Sequence, residues 1–87
     1  MLPVLNSSRT EKAIRNEINQ TSKRINRLCE EIDSLRARCY WYRYRKEIYN
    51  LEEAKERIEW IVGKLRKAIN RMNKLGRELN EKIHKAD

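Results

Sequence analysis

Apolar and small residues recur through the first half of the chain at alternating steps of four and three positions. This pattern places them on one stripe of an α-helix and is typical of a coiled-coil seam. The seam residues are Ile14, Ile18, Thr21, Ile25, Leu28, Ile32, Leu35, Cys39 and Tyr42. Ser8 and Glu11 have the spacing of a capping box, so we predict a first helix over about residues 8–46.

A second seam with the same steps occupies the other half of the chain. Its residues are Leu51, Ala54, Ile58, Ile61, Leu65, Ala68, Met72, Leu75 and Leu79. The phase slips between the seams, because the first pattern extended forward would reach Lys46 and Glu53 instead. Asn50 lies at the slip with Glu53 three positions later, which is typical of a helix N-cap. We therefore predict a turn near residues 47–50 and a second helix over about 51–85.

The two seams are equally long, and the predicted turn lies between them. If the chain folds back there, Ile14 meets Ile83 across the pair. The predicted fold class is all-α: residues 8–87 form one domain, an antiparallel two-helix coiled-coil hairpin, after a flexible lead-in of residues 1–7. A long kinked helix that pairs between chains is the structural alternative.

A further apolar column runs beside the second seam. Its residues are Val62, Ile69, Gly76 and Ile83, and the small residues Ser22 and Cys29 lie opposite them in the predicted register, with Ser22 facing Gly76. The resulting face is wider than one helix pair buries. We therefore predict a four-helix bundle, formed with a second copy or with another helical protein. The alternative is that the column only thickens the hairpin's own core.

The leading prediction for function is accordingly a small, non-enzymatic module for protein interaction and assembly. Charge adds a second hypothesis, because 21 Lys and Arg against 13 Asp and Glu give a net charge of +8. A basic stripe at helical spacing contains Arg57, Lys64, Lys67, Arg71 and Lys74. Cations in a row suit the phosphate backbone of RNA or DNA, so a nucleic-acid-binding hairpin dimer is the alternative function. A solvated helix face would also account for the stripe.

The flank of the seam that includes part of this stripe is repulsive in the predicted register. Glu17 faces Glu78, and Arg24 faces Arg71, whereas Glu31 facing Lys64 is attractive. Like charges across a helix pair weaken it. Either the register is wrong, or this flank meets an acidic partner.

Aromatic residues gather near the predicted turn. Tyr40, Trp41 and Tyr44 alternate with basic residues, and Trp60 is expected close by. Exposed tryptophan is a common interface anchor, so these four residues are predicted to contact a further partner. The alternative is that they cover the end of the bundle.

Residues suited to catalysis or metal binding are sparse. His84 is the single histidine, and both cysteines should lie more than about 20 Å from it along the hairpin. Cys29 and Cys39 would lie about 15 Å apart on one helix, too far for a disulfide. We therefore expect no enzyme activity, no catalytic or metal site, no cofactor and no small-molecule substrate.

The chain start and hydropathy give an expectation for location. The first residues lack the basic region and the long apolar stretch of a signal peptide, and no apolar run reaches the length of a membrane span. We expect a cytoplasmic or otherwise intracellular protein without a membrane partner.

The expected shape resembles two groups of small helical hairpins. One is the plasmid-type RNA-binding hairpin that dimerises into a four-helix bundle, and the other is the WXG100-like secretion partner. The second group has Trp-x-Gly at its turn, whereas here Trp60 and Gly63 lie within the second predicted helix. No site residue is carried over from either group.

Overall fold

The computed structural model describes residues 9–85, with side chains through residue 84, and contains two α-helices in that range. Helix α1 spans Glu11–Tyr44 and helix α2 spans Ile48–Lys85. They pack against each other as an antiparallel hairpin with dimensions of 61 × 21 × 15 Å. The predicted all-α hairpin is confirmed. The predicted lead-in of residues 1–7 lies outside the described residues.

Helix α1 begins at Glu11, three positions later than predicted. Thr10 is its N-cap: the backbone is extended there, and the side-chain oxygen accepts a hydrogen bond from the Ala13 amide at 3.0 Å. Glu11 is therefore the first residue of the helix, and not the third as the predicted capping box requires. Ser8 itself lies outside the described residues.

The turn comprises residues 45–47, so the predicted turn at 47–50 is wrong. The Glu47 amide donates to the Tyr42 carbonyl at 2.9 Å, and the Lys46 amide donates to the Arg43 carbonyl at 3.2 Å. These two bonds form a Schellman motif, which ends α1 and reverses the chain within three residues. The motif requires a left-handed residue, and Lys46 has φ 60°.

Asn50 is helical and does not cap α2. The helix begins at Ile48, and the Glu47 carbonyl accepts the first helical hydrogen bond, from the Leu51 amide at 3.0 Å. The Asn50 Nδ2 atom donates to Glu47 Oε1 at 2.9 Å. Asn50 thus holds the Glu47 carboxylate beside the positive end of the helix dipole.

The core of the hairpin lies along the two predicted seams. Ile14, Ile61 and Leu75 are completely buried, and the other buried residues are Thr21, Leu28, Leu35, Cys39, Ala54 and Ala68. Ile25, Ile32, Ile58 and Leu65 are half-buried against this core. The heptad pattern therefore predicted the buried stripe of each helix correctly.

The register between the helices differs from the predicted one by one heptad. Glu17 pairs with Arg71 at 2.6 Å, where Glu78 was predicted. Glu31 pairs with Arg57 at 3.3 Å, where Lys64 was predicted. Both partners lie seven positions earlier on α2, because the turn comes earlier in the chain than expected.

Candidate interaction surfaces

An antiparallel helix pair has two broad faces, one on each side of its seam. We call one the apolar face: the column Ile48, Val62, Ile69, Gly76 and Ile83 of α2, with Ser22 and Cys29 of α1. We call the other the basic face: the predicted basic stripe of α2, with Arg24 and Arg27 of α1. Heptad positions assign these residues to opposite faces of the hairpin.

The apolar face is only partly covered by the hairpin. Ile69 and Ile83 are each 42% exposed, and Ile48 is 68% exposed. Val62 is half-buried, and a Cβ atom built on Gly76 would have no neighbour within 4 Å. The hairpin's own core therefore leaves much of this column open to solvent.

The corrected register changes which residues lie opposite each other on the apolar face. With Glu31 beside Arg57, Ser22 is level with Ile69, and Cys29 is level with Val62. The predicted juxtaposition of Ser22 and Gly76 is wrong for the same reason. Ser22 and Cys29 are both exposed.

Ile48 was missed by the sequence analysis. It lies seven positions before Lys55 and two heptads before Val62, so it belongs to the same column. Because the helix was expected to begin at residue 51, Ile48 was assigned to the turn. The periodicity of the column was the signal that could have found it.

Charges on and beside the apolar face are unevenly distributed along the rod. The half near the turn contains the acidic residues Asp33, Glu52 and Glu59, together with Arg36, Arg43 and Lys55, and Arg66 continues the column of Glu52 and Glu59 at the middle of the rod. The half near the open end contains Lys12 and Arg15, and its described residues include no carboxylate at these heptad positions. The two halves are thus electrostatically different.

On the basic face, ion pairs connect the two helices across the seam, and we call this row of pairs the ladder. Glu17 and Arg71 form one pair, and Glu31 and Arg57 form another. At the open end Arg9 contacts Glu17 at 2.5 Å and Glu78 at 3.2 Å. These alternating charges connect the start of α1 to the end of α2.

One position on this ladder has two cations. Arg24 lies seven residues from both Glu17 and Glu31, and Lys64 lies seven residues from both of their partners, so Arg24 is level with Lys64. An open depression is present here. It is lined by Thr21, Arg24, Lys64, Lys67, Ala68 and Arg71. Among residues 9–84, Arg24, Lys64 and Lys67 have no carboxylate partner.

Trp60 lies beside this depression, on the outer side of α2. The Arg57 guanidinium carbon lies 4.5 Å from the centre of its ring, and the Lys64 Nζ atom lies 3.8 Å from it. These cation–π contacts link two residues of the basic stripe to one aromatic ring. Trp60 is level with Leu28 in the observed register, so it lies about 20 Å along the rod from Trp41. Its predicted grouping with the other three aromatic residues is therefore wrong.

The aromatic residues near the turn form a separate group, which we call the tip: Tyr40, Trp41 and Tyr44. The ring of Trp41 makes edge contacts with both tyrosines, with centroid distances of 5.6 Å to Tyr40 and 6.1 Å to Tyr44. All three side chains are exposed. Across the turn Tyr49 is also exposed, and a hydrogen bond to Glu53 raises the pKa of its phenol.

The ladder perturbs one titratable group on the open half of the rod. The hydrogen bond from Arg71 is the main cause that lowers the pKa of Glu17, and Arg9 adds to it. Partial burial opposes these effects but does not cancel them. Glu17 is therefore held in its charged form by two guanidinium groups.

Three further properties of the described residues concern metal binding, cysteine chemistry and the membrane. Residues 9–84 contain no cluster of His, Cys, Asp and Glu that could hold a metal ion. Cys29 is exposed, Cys39 is buried, and both are free thiols. Neither α1 nor α2 is apolar enough over a sufficient length to cross a membrane.

In comparisons with known proteins, no family model, no characterised protein and no solved structure matches this chain. Function is therefore inferred from the two faces and the tip.

Proposed function

We propose that this chain is a non-enzymatic assembly module, in which two copies join through their apolar faces to form a four-helix bundle. The observation that carries the proposal is the 42% exposure of Ile69 and Ile83, in one column with Ile48 and Val62. Burying the remaining surface of such a side chain contributes about 1 kcal/mol. Two helices alone form a marginal fold, so a second pair would also stabilise the first.

The size of the face supports a second copy as the partner. With sides of 61 and 21 Å, a broad face of the rod has a projected area of about 1,300 Å². Stable protein interfaces bury about 800 Å² on each partner. A matching face on an identical rod would cover the whole apolar column.

The charge distribution supports an antiparallel stack of the two rods. In that arrangement the half of one copy in which Asp33, Glu52 and Glu59 offset Arg36, Arg43 and Lys55 meets the carboxylate-free half of the other copy, so the two carboxylate-free basic halves stay apart. The antiparallel stack also places Ile48 of one copy opposite Ile83 of the other, and Val62 opposite Ile69. A parallel stack would instead bring the two carboxylate-free basic halves together.

Substitution of Ile69 tests the assembly. Ile69→Asp places a charge in the centre of the apolar face, so we expect a dimer to become a monomer in sedimentation at micromolar concentration. The matched control is Asn70→Asp, which adds the same charge on the outer side of α2 and should leave the dimer intact. A wild-type chain that remains monomeric and cooperatively folded under these conditions would contradict the proposal.

The tip stays a predicted second contact surface. In the proposed stack Tyr40, Trp41 and Tyr44 lie near the end of each rod, and Arg43 and Arg45 lie among them. An exposed aromatic group beside cations suits a partner with acidic groups. This surface is not required for the assembly itself.

A further inference from the structure

We infer that the basic face binds the phosphate backbone of a nucleic acid, with its centre at the depression between Arg24, Lys64 and Lys67. This activity is separate from assembly, because the basic face and the apolar face lie on opposite sides of the hairpin. In the proposed four-helix bundle, each basic face would remain on the outside.

Two cations face each other at one position of the ladder. Ion pairs occupy the neighbouring positions, Glu17 with Arg71 and Glu31 with Arg57, whereas Arg24 is level with Lys64. Two like charges facing each other across a seam reduce the stability of the hairpin. A bound anion would remove that repulsion, and the depression at this level gives it access to both side chains.

Unbalanced positive charge extends along the basic face. The five cations of the predicted stripe, with Arg24 and Arg27, exceed the two carboxylates Glu17 and Glu31 over about 25 Å of helix. Acidic residues lie beyond both ends of this stretch, at Glu53 and at Glu78. A linear strip of unbalanced cations suits a polymer with regularly spaced phosphates.

Trp60 indicates which groups of the nucleic acid the strip would contact. Arg57 and Lys64 both lie over its ring, so the ring holds cations in the strip and is not free for stacking on a base. The contacts expected here are with phosphates, which carry no sequence information. Binding should therefore be independent of sequence and strongly dependent on salt.

The composition of the strip argues against two other anionic partners. Membrane-surface binding draws on apolar side chains that enter the lipid, and docking of an acidic protein draws on a desolvated apolar centre. Trp60 is the large exposed apolar side chain among the described residues of this strip, and its ring is occupied by cations. The strip therefore suits a nucleic acid better than a membrane surface or an acidic protein.

The decisive variant is Arg24→Glu. It turns the repulsive position into a Glu–Lys pair, so we expect a higher melting temperature together with weaker nucleic-acid binding. Binding is measured by fluorescence anisotropy with labelled 20-base-pair RNA and DNA duplexes of mixed sequence. At 50 mM salt we expect the affinity of Arg24→Glu to fall about tenfold or more, and wild-type affinity to fall about tenfold or more between 50 and 200 mM salt.

Lys23→Glu is the matched control, because Lys23 is adjacent in sequence but lies on the outer side of α1. It changes the net charge by the same amount, and its affinity should fall less than about threefold. Equal losses in both variants would overturn the site, since overall charge alone would then explain binding. Absence of duplex binding at 50 mM salt, or tighter binding to polyglutamate or anionic vesicles, would overturn the inference.

Nucleic-acid binding can be tested independently of assembly with the Ile69→Asp variant. Ile69→Asp alters the apolar face and leaves Arg24, Lys64 and Lys67 unchanged. We therefore expect an Ile69→Asp monomer to retain duplex binding per chain, with the same sensitivity to Arg24→Glu. Loss of binding in the monomer would contradict a site that lies within one hairpin.

Discussion

At the scale of single residues, Lys46 has the most demanding backbone position. It is the one non-glycine residue with positive φ among residues 9–85, and it occupies the site of the Schellman motif where glycine is most common. A side chain in this conformation costs about 1 kcal/mol. The hairpin therefore folds with a strained residue at the point on which its register depends.

Replacing Lys46 with glycine should stabilise the hairpin. Relief of the strain is partly offset by the greater freedom of glycine in the unfolded chain, so we expect Lys46→Gly to raise the free energy of unfolding by about 0.5–1 kcal/mol. Urea denaturation at a fixed chain concentration measures this change.

The neighbouring residue provides the control for this prediction. Arg45 has φ −84° and ψ −2°, a right-handed conformation that glycine does not relieve. Arg45→Gly should lower the free energy of unfolding by about 0.5–1 kcal/mol. Destabilisation by both substitutions would show that the motif is not under strain at Lys46.

At the scale of the elements, both helices and both buried stripes were predictable, because burial follows from heptad phase alone. The register was not predictable in this way, since a slip of seven residues leaves every seam residue in the seam. It depends on the turn, and the left-handed residue there is a lysine, which has no turn preference. The Glu17–Glu78 clash in the predicted register was the available signal, because a one-heptad slip replaces it with Glu17–Arg71.

The same error explains which parts of the candidate surfaces were mispredicted. Because the observed turn comes earlier in the chain than the predicted one, Trp60 lies away from the tip and Ile48 belongs to the apolar face. Arg24 was expected to face Arg71, so its position opposite Lys64 and the depression between them could not be recognised. The membership of the main column, Val62, Ile69, Gly76 and Ile83, did not depend on register and needed no correction.

The ladder between the helices predicts a dependence of stability on pH. The folded-state pKa of Glu17 lies below its unfolded value near 4.5, so its ion pairs stabilise the hairpin above that pH. This contribution is lost as the pH falls through the folded-state pKa. The Glu17 side chain is 32% exposed, so we expect only a few tenths of a kcal/mol.

Glu17→Gln tests this dependence by removing the titrating group. Between pH 6 and pH 3, the variant should lose less stability in urea denaturation than the wild-type chain does. Glu30→Gln is the control, because Glu30 is exposed and has no ion pair among the described residues. If both variants follow the wild-type pH profile, the ladder contributes nothing measurable.

At the scale of the whole molecule, a disulfide can test the proposed orientation of the two rods. In an antiparallel stack that matches Val62 with Ile69, the Cys29 of one copy faces Ser22 of the other. Ser22→Cys should therefore give a disulfide-linked dimer on a non-reducing gel after mild oxidation. Within one chain, positions 22 and 29 are about 10 Å apart along α1, which prevents an internal bridge.

Lys23→Cys is the control for random oxidation, because position 23 lies on the outer side of α1 and should cross-link much less. In a parallel stack, Ser22 would face Ile69 of the other copy, and no cysteine would be near. Equal cross-linking of the two variants would therefore exclude the antiparallel arrangement.

The three-residue turn has a consequence for any assembly built from this hairpin. It brings the start of α1 and the end of α2 to one end of the rod and leaves the tip at the other, so a single hairpin has a direction. In an antiparallel stack the two hairpins point in opposite directions. Each end of the dimer then has the tip of one copy beside the start of α1 and the end of α2 of the other. Such a particle would be a symmetrical spacer, able to hold two identical partners about 60 Å apart.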